Sequence, residues 1–284
     1  MILETSITMA HTTEKSGLVE NFKEWACSFS GCDGGDLESP IWVCGIEWGF
    51  SNPSRKSKEA YQEEMQFDYS QRLPEKISRG AYDPTNLEYF SAERLRKFSY
   101  VRNVAKLYGA LNGIKVEDMK KNVSPKWNIF HMNLYPIAFR RVANYLWERY
   151  GLAETTGLET KKEYREWCRS NRFPRFAEII QEREPTLIIG TGKSYLDDFI
   201  LFCGGTDTNT EIHHQEIVGY PESPEKSTRT LYWAKIGSKT TLAVIPFPSG
   251  PYGLNSNALL QKFGDRIRDV SGWGFERSRE GNGG

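Results

Sequence analysis

Short, largely apolar segments most constrain what this chain can fold into. The clearest, at 41–46, has the sequence IWVCGI, and others lie at 127–134, 185–190 and 241–245. Uninterrupted runs of this length are typical of strands buried on both faces. Segments with helical spacing of apolar residues lie between them, so strands and helices alternate. This alternation predicts a three-layer α/β/α fold with a central, mostly parallel four-stranded sheet.

The remaining pattern predicts one large domain with additions. A chain of 284 residues is long enough for one α/β domain with insertions, and we expect a single domain over 1–284. Residues 51–85 are polar and mixed and are predicted to be an insertion, while 1–15 and 274–284 are expected to be loose ends. Helices are expected at the following segments: 17–29, 87–111, 139–150, 161–183, 194–202 and 255–270. Residues 231–236 and 241–245 flank a Gly-Ser turn and predict a hairpin.

Composition excludes several classes of protein. The 37 basic residues balance the 37 acidic ones, which argues against a polybasic coat protein and against an acidic tail protein. No apolar run approaches the roughly 20 residues of a membrane span, and the N-terminus lacks an export signal, so we expect a cytoplasmic protein with no membrane partner. The five cysteines are scattered without a CxxC pair, so neither a disulfide framework, a metal site nor a cofactor is predicted.

The carboxyl ends of the predicted strands are where a ligand site is expected, because open parallel sheets bind ligands there. These ends lie at 45–52, 131–136, 190–194 and 245–255, and all contain glycine or proline beside polar or aromatic side chains. The segment Gly192-Lys193-Ser194 is similar to the end of a phosphate-binding P-loop. The glycine that such a loop requires five positions earlier is Leu187, so we expect a structural turn there and no ATP site.

Three of these strand ends carry recognisable motifs in order. Residues 45–49 have the sequence GIEWG, residues 133–136 have NLYP, and residues 247–250 have FPSG, followed by Leu-Asn at 254–255. This set resembles the uracil-DNA glycosylase superfamily, whose corresponding motifs are GQDPY, GINPG or GMNPG, a central asparagine segment, and an HPS or NPS loop. The resemblance extends over about residues 40–268.

The resemblance implies a DNA glycosylase and assigns roles to individual residues. Glu47 takes the position of the acid or amide that activates or positions water against the sugar C1′. Asn133 takes the position of the amide that reads a flipped base, since an amide offers both a donor and an acceptor. Aromatic residues at the strand ends that could contact that base are Trp48, Phe50, Tyr135 and Phe247. Residues implied to hold or wedge into DNA are Ser249, Gly250, Pro251, Tyr252 and Asn255.

Two departures from the family pattern bear on the substrate. The proline that follows the acid in the family is Trp48 here, and the histidine of the HPS loop is Phe247. That histidine stabilises the leaving uracil anion, so its replacement argues against ordinary uracil excision. Within the superfamily the pattern also resembles bacterial anti-phage glycosylases that remove glucosylated hydroxymethylcytosine from viral DNA.

Three alternatives remain open from the residues alone. A catalytically inactive nucleic-acid-binding protein of the same fold would need a basic surface, which the neutral chain offers only locally, as at 94–97 or 140–141. A small-molecule N-glycoside hydrolase would also use an acid beside C1′. A protein-interaction module is supported only by the aromatic content of 13%. The histidines at 131, 213 and 214 have no partner evident in the sequence.

Overall fold

The computed structural model describes residues 22–32, 34–49, 92–119, 128–139, 142–206 and 209–274. The chain divides into two compact units. The described residues of unit 1 are 22–32, 47–49, 133–139 and 142–175, and those of unit 2 are 34–46, 92–119, 128–132, 176–206 and 209–274. The single domain over 1–284 stays a prediction. The segments 1–15 and 51–85 lie outside the described residues, as does the chain after 274.

The described residues form a mixed α/β fold with one seven-stranded sheet. The strands are β1 (Gly34–Gly35), β2 (Ile41–Gly49), β3 (Ile129–Phe139), β4 (Leu187–Thr191), β5 (His213–Val218), β6 (Thr228–Ile236) and β7 (Thr240–Ile245). Their order across the sheet is β1-β3-β2-β4-β7-β6-β5.

Helices of four residues to more than twenty connect the strands. They are α1 (Ala92–Lys97), α2 (Ser99–Leu111), α3 (Tyr145–Arg149), α4 (Leu152–Thr156), α5 (Lys161–Arg183), α6 (Leu196–Phe202), α7 (Pro224–Ser227) and α8 (Asn257–Ser271). Short 3₁₀ turns occur at Val116–Asp118 and Lys193–Tyr195. Residues 22–27 are also helical.

The predicted number of four strands is wrong, because the sheet extends beyond its parallel centre. β2 pairs in parallel with β4, and β4 with β7, as expected for buried strands. The predicted hairpin is confirmed, with β6 antiparallel to β7. β5 then adds to β6, and β1 adds to β3, both antiparallel. The sequence missed β5 because only Ile217 of its six residues is buried, which leaves no apolar run to detect.

Helices α2 and α8 bury an apolar cluster against the sheet of unit 2. Alternate residues of the parallel strands, such as Ile41, Val43 and Ile189, enter this cluster together with the apolar side chains of both helices. Gly190, the next residue of β4, faces the other side of the sheet. A Cβ added to it would lie 2.9 Å from the ring of Phe199 in α6. Both faces of β4 are therefore covered by helices.

Unit 1 contains a buried arginine, Arg172 on α5, whose side chain is fully buried. Its guanidinium donates five hydrogen bonds of 2.5 to 3.2 Å, all to main-chain carbonyls. The acceptors lie in two segments: Ala26, Ser28 and Ser30 after the first described helix, and Asn133 and Leu134 in β3. One side chain therefore ties the 26–30 segment to the strand.

Two predicted element boundaries differ from the observed ones. The helix predicted over 87–111 is two helices, α1 and α2, with Phe98 between them, and 87–91 lie outside the described residues. The strand predicted to stop at Pro136 continues to Phe139. Proline's fixed φ is compatible with an extended strand, and β1 pairs only with Phe130 and His131, so the missing N–H at 136 costs no hydrogen bond to β1.

The other helices agree more closely with expectation. Helix α5 has the predicted bounds, and α8 begins two residues later than predicted. Of the described residues in the segment predicted to be helical at 139–150, Tyr145–Arg149 form an α-helix, whereas Phe139 belongs to β3. In the part of the chain that is described, we find no helix with the length and apolar character needed to cross a membrane.

Candidate functional site

The residues that the sequence singles out fall in both units. Glu47, Asn133 and Tyr135 belong to unit 1, and Phe247 and the loop that follows it belong to unit 2. Phe50 lies outside the described residues, and so does the side chain of Trp48.

Glu47, near the end of β2, is part of a buried charge cluster in unit 1. Its side chain is 3% exposed, and the ammonium of Lys161 lies 2.8 Å from Oε1 and 2.9 Å from Oε2. Arg165, one helical turn further along α5, places Nη2 3.8 Å from Oε1. The Lys161 ammonium also lies 3.5 Å from the centroid of the Phe139 ring, a cation–π contact. Two cations therefore lie beside a single carboxylate, and an aromatic ring lies against one of the two cations. We call Glu47, Lys161 and Arg165 the Glu47 cluster.

Burial shifts the titration of the two groups that form the pair. Desolvation raises the pKa of Glu47, although the positive charges of Lys161 and Arg165 act in the opposite direction. Desolvation lowers the pKa of Lys161, and the nearby Arg165 adds to that effect while Glu47 opposes it. Each shift favours the neutral form of the side chain more than water does. Perturbed carboxyl groups of this kind are frequent at catalytic positions.

Asn133 and Tyr135, which follow in β3, have structural contacts in unit 1. The Asn133 side chain is buried, and its Nδ2 donates to the carbonyl of Gly31 at 2.7 Å. Tyr135 is fully buried, with its ring 5.9 Å from that of Tyr164 and 5.6 Å from that of Phe173. These contacts place Tyr135 in an aromatic core, and its implied base contact stays a prediction. The implied role of Asn133 stays a prediction.

The loop at 246–256 in unit 2 is held by side chains outside it. Asn103, buried on α2, donates from Nδ2 to the carbonyls of Pro248 (2.8 Å) and Leu254 (3.1 Å). Arg229 on β6 donates to the carbonyls of Gly253 (3.2 Å) and Pro251 (2.8 Å). Four carbonyls of one loop are thus fixed from two neighbouring elements, so the loop has one well-defined shape.

Bonds within the loop close it further. The Leu254 N–H donates to the Phe247 carbonyl at 3.0 Å, and the Asn255 side chain donates to the Gly250 carbonyl at 2.9 Å. A Cβ on Gly253 would collide with the carbonyl oxygens of Phe247 and Ser249, so only glycine fits there. At Ser249 the backbone N–H donates to the Phe247 carbonyl at 2.8 Å. The implied DNA contacts of Ser249, Gly250 and Asn255 stay predictions.

The aromatic residues of this loop are exposed. Tyr252 is 88% exposed, the highest value among the large apolar side chains that the structure describes, and Phe247 is 44% exposed. The loop leads into α8, where the Ser256 hydroxyl accepts a hydrogen bond from the Leu259 N–H and caps the helix. A restrained loop therefore presents a fully accessible phenol ring to solvent.

A second polar cluster, which the sequence did not predict, lies behind Phe247 in unit 2. The Tyr100 ring stacks on that of Phe247, with centroids 5.0 Å apart and planes inclined by 29°. The Tyr100 hydroxyl lies 3.2 Å from Nε2 of His131 and 3.2 Å from Oγ1 of Thr191. His131 and Thr191 are buried, whereas Tyr100 is half-buried. We call Tyr100, His131 and Thr191 the Tyr100 cluster.

The direction of the hydrogen bonds in this cluster follows from the number of protons. Thr191 donates its single hydroxyl proton to the carbonyl of Cys44 in β2, at 3.3 Å. We therefore assign Tyr100 as the donor to Thr191 and, with the ring proton of His131 placed on Nε2, His131 as the donor to the Tyr100 oxygen. In the resulting hydrogen-bond chain His131 donates to Tyr100, Tyr100 donates to Thr191, and Thr191 donates to the carbonyl of Cys44 in β2.

This cluster lies where the sheet topology favours a ligand. The chain passes from β2 to β3 on one side and then to β4 on the other side, so the strand order reverses between β2 and β4. Thr191 is the last residue of β4, and Cys44 pairs with the residue before it. A Cβ on the next residue, Gly192, would lie 2.5 Å from the side chain of Ile46. Backbone and side chains thus approach closely at this strand end.

Other sequence features do not form sites. Lys193 and Ser194 belong to a 3₁₀ turn after β4, consistent with a structural turn rather than a phosphate loop. Within the described ranges, no three histidine, cysteine or acidic side chains converge to hold a metal ion. Histidines 213 and 214 are exposed on β5, where their rings lie against Trp233 and Tyr232.

No protein-family model matches this chain, and no curated protein matches it significantly. The two clusters and the restrained loop are therefore the basis for the functional argument.

Proposed function

We propose that this protein is a DNA glycosylase with the three-layer α/β/α fold of the uracil-DNA glycosylase superfamily. It would cleave the N-glycosidic bond of a modified base that has been flipped out of the duplex. The observation that carries the proposal is the restrained loop at 246–256 with Tyr252 88% exposed. Proteins that unstack a base insert an apolar or aromatic side chain into the duplex, and such a side chain must be both accessible and rigidly supported.

Glu47 is the group to which we assign activation of water. A carboxylate can accept a proton from the attacking water and oppose the positive charge that develops on the deoxyribose. The raised pKa of Glu47 makes its ionised form a stronger base toward water than an ordinary carboxylate. Lys161, which contacts both carboxylate oxygens, keeps the group in one orientation. Because the side chain is 3% exposed, the bound substrate must open a path to it before chemistry occurs.

The substrate that we propose first is glucosylated hydroxymethylcytosine, as in phage DNA. Support comes from Phe247, which occupies the place of the family histidine and stacks on Tyr100. A site without that histidine is poorly suited to uracil, which leaves as an anion. A different leaving base, or a different proton donor, is then required.

The test is an assay for alkali-labile abasic sites. The purified protein is incubated with unmodified DNA, uracil-containing DNA and glucosylated hydroxymethylcytosine DNA, and strand breaks are counted after alkali treatment. We expect abasic sites in the glucosylated DNA and a loss of about 10²-fold or more in Glu47→Gln. The matched control is Glu166→Gln, an exposed acid on the same helix as Lys161, which should keep full activity. If none of the three DNAs acquires abasic sites, the protein is not such a glycosylase, and full activity in Glu47→Gln removes the role of that residue.

One observation favours a second candidate, a DNA-binding protein without catalysis. The Glu47 carboxylate has a cation at both oxygens and is buried, which is also the arrangement of a purely structural ion pair. In that case the protein would bind the glucosylated duplex, Tyr252→Ala would weaken the binding, and no abasic sites would form.

A further inference from the structure

Resting on the proposed glycosylase function, we propose that the Tyr100 hydroxyl is the proton donor to the departing base. Tyr100 would thus neutralise the leaving base, whose negative charge the superfamily stabilises with the histidine that is Phe247 here. His131 would act through Tyr100 as a positioning residue.

The position of Tyr100 supports this role. It is half-buried on the first turn of α2, and one face of its ring stacks on the exposed Phe247. His131 behind it is 2% exposed and Thr191 is 1% exposed. Within the cluster only Tyr100 can therefore contact a ligand directly. Asn103, three residues further along the same helix, anchors the loop that carries Phe247. One helix thus holds both the donor and the loop beside it.

The hydrogen-bond chain prepares Tyr100 to give up its proton. Its oxygen accepts a hydrogen bond from His131 Nε2, and this bond strengthens when negative charge develops on that oxygen. The proton of Tyr100 points to Thr191 in the free protein and can turn toward a ligand, because a hydroxyl rotates freely about its C–O bond. The Thr191 hydroxyl can in turn rotate from the Cys44 carbonyl to stabilise the phenolate.

The N-glycosidic bond breaks with its electron pair on the base, and the proton of the Tyr100 hydroxyl passes to that base. Water adds to C1′ as a hydroxyl group, and its remaining proton passes to the general base before its release to solvent. Tyr100, left as a phenolate bonded to His131 and Thr191, recovers its proton from solvent. The products are the neutral base and an abasic sugar.

The test compares two tyrosine variants on the same helix. Tyr100→Phe removes the hydroxyl and keeps the ring that stacks on Phe247, while Tyr108→Phe removes a hydroxyl that accepts from the Asn128 N–H. Excision of glucosylated hydroxymethylcytosine is measured under single-turnover conditions from about pH 7 to about pH 10, where phenols ionise. DNA affinity is measured separately with the same duplex.

We expect Tyr100→Phe to lose about 10²-fold in excision rate with unchanged DNA affinity. The wild-type rate should decline at the alkaline end of the range as the donor loses its proton, and this decline should be absent in Tyr100→Phe. Tyr108→Phe should retain both rate and pH profile. A Tyr100→Phe rate within threefold of wild type, or an unchanged alkaline decline, overturns the role of Tyr100 while the glycosylase function stands. Absence of abasic sites with the wild-type protein overturns both.

His131 offers a second readout. A glutamine at 131 retains an N–H donor near the position of Nε2, whereas leucine does not. We therefore expect His131→Gln to keep most of the excision rate and His131→Leu to fall toward that of Tyr100→Phe. Equal losses in both variants would show that His131 does not act by donating a hydrogen bond to Tyr100.

Discussion

The Glu47 cluster in unit 1 and the Tyr100 cluster in unit 2 place proton-exchanging groups in contrasting surroundings. Glu47 and Lys161 are charged groups that are almost completely excluded from water, and burial is the main cause of their shifted pKa values. Tyr100 is uncharged and half-buried, and its surroundings are hydrogen-bond partners rather than ions. The Glu47 cluster is held together by attraction between opposite charges, whereas the Tyr100 cluster is held together by a directed chain of hydrogen bonds.

Because of this difference, substitutions in the two clusters should affect different properties of the protein. A buried ion pair is destabilising to break, because the remaining charge has neither its partner nor water. A hydrogen-bond chain with one accessible member can lose that member's hydroxyl with little effect on the fold. We therefore expect substitutions in the Glu47 cluster to change the free energy of unfolding strongly, and those around the Tyr100 cluster to act mainly on ligand recognition.

The largest expected effect comes from breaking the ion pair. Lys161→Met should lower the free energy of unfolding by about 3 kcal/mol, because it leaves the Glu47 carboxylate buried and, among the described residues, paired with Arg165 alone at 3.8 Å. The double variant Glu47→Leu, Lys161→Met should recover most of that loss, since it leaves no buried charge unpaired. Urea denaturation measures both, and Lys162→Met, at an 81% exposed neighbour, is the control. Equal loss in the single and double variants would mean that packing, not charge, is responsible.

The second prediction concerns the pH dependence of that pair. A raised pKa means that the folded protein holds the Glu47 proton more tightly than the unfolded chain, so its contribution to stability is complete below the ordinary value of 4.5 and declines as pH rises toward the folded-state value. The lowered pKa of Lys161 acts oppositely, contributing most above its ordinary 10.5 and losing that contribution as pH falls. The stability of wild type relative to the double variant should therefore decrease as pH rises above 4.5. Urea titrations from about pH 4 to about pH 8 measure this difference, and an increase over that range would contradict the direction of the Glu47 shift.

A smaller effect is expected where the loop of unit 2 is anchored. Asn103→Ala should lower the free energy of unfolding by about 2 kcal/mol, because it removes the donor for two carbonyls in a buried position. It should also accelerate hydrogen exchange at the Leu254 N–H, which closes the loop. Asn171→Ala, which removes an exposed amide on α5, is the matched control. Unchanged exchange at Leu254 would show that Asn103 does not restrain the loop.

The smallest effect on stability is expected at the tip of the same loop. Tyr252→Ala should change the free energy of unfolding by no more than about 0.5 kcal/mol, because the side chain is 88% exposed. Its effect on duplex DNA should be larger, about tenfold or more in affinity, with no effect on any hydrolysis of the free nucleoside. Tyr220→Ala, at a 42% exposed position, serves as the control. Equal DNA binding by both variants would remove the wedge role of Tyr252.

The regular elements were largely predictable because their signals are local. The hairpin of β6 and β7, the bounds of α5 and the parallel pairing of β2, β4 and β7 follow from short patterns of apolar residues and a Gly-Ser turn. β5 was missed because its residues are mostly exposed, so that its place depends largely on pairing with β6, a contact the sequence pattern does not show. Pro136 misled the prediction for β3, because whether a proline ends a strand depends on the neighbouring strand at that position.

The sites were predictable only in part, because their contacts are long-range. Glu47 was identifiable from the glycines on either side of it, but its partner Lys161 is 114 residues away at the start of a helix. In the Tyr100 cluster, His131 and Thr191 lie 31 and 91 residues from Tyr100. Phe247 could be recognised as a departure from a motif, yet its stacking partner on α2 could not.

The fully buried Arg172 has a consequence for acid denaturation. Its five bonds to main-chain carbonyls do not depend on any titrating acceptor, whereas an arginine–carboxylate pair loses its attraction once the acid is protonated. The hydrogen bonds between Arg172 and the 26–30 segment should therefore persist at a pH low enough to break arginine–carboxylate ion pairs. We expect this segment to be among the last parts of unit 1 to separate from β3 during acid denaturation.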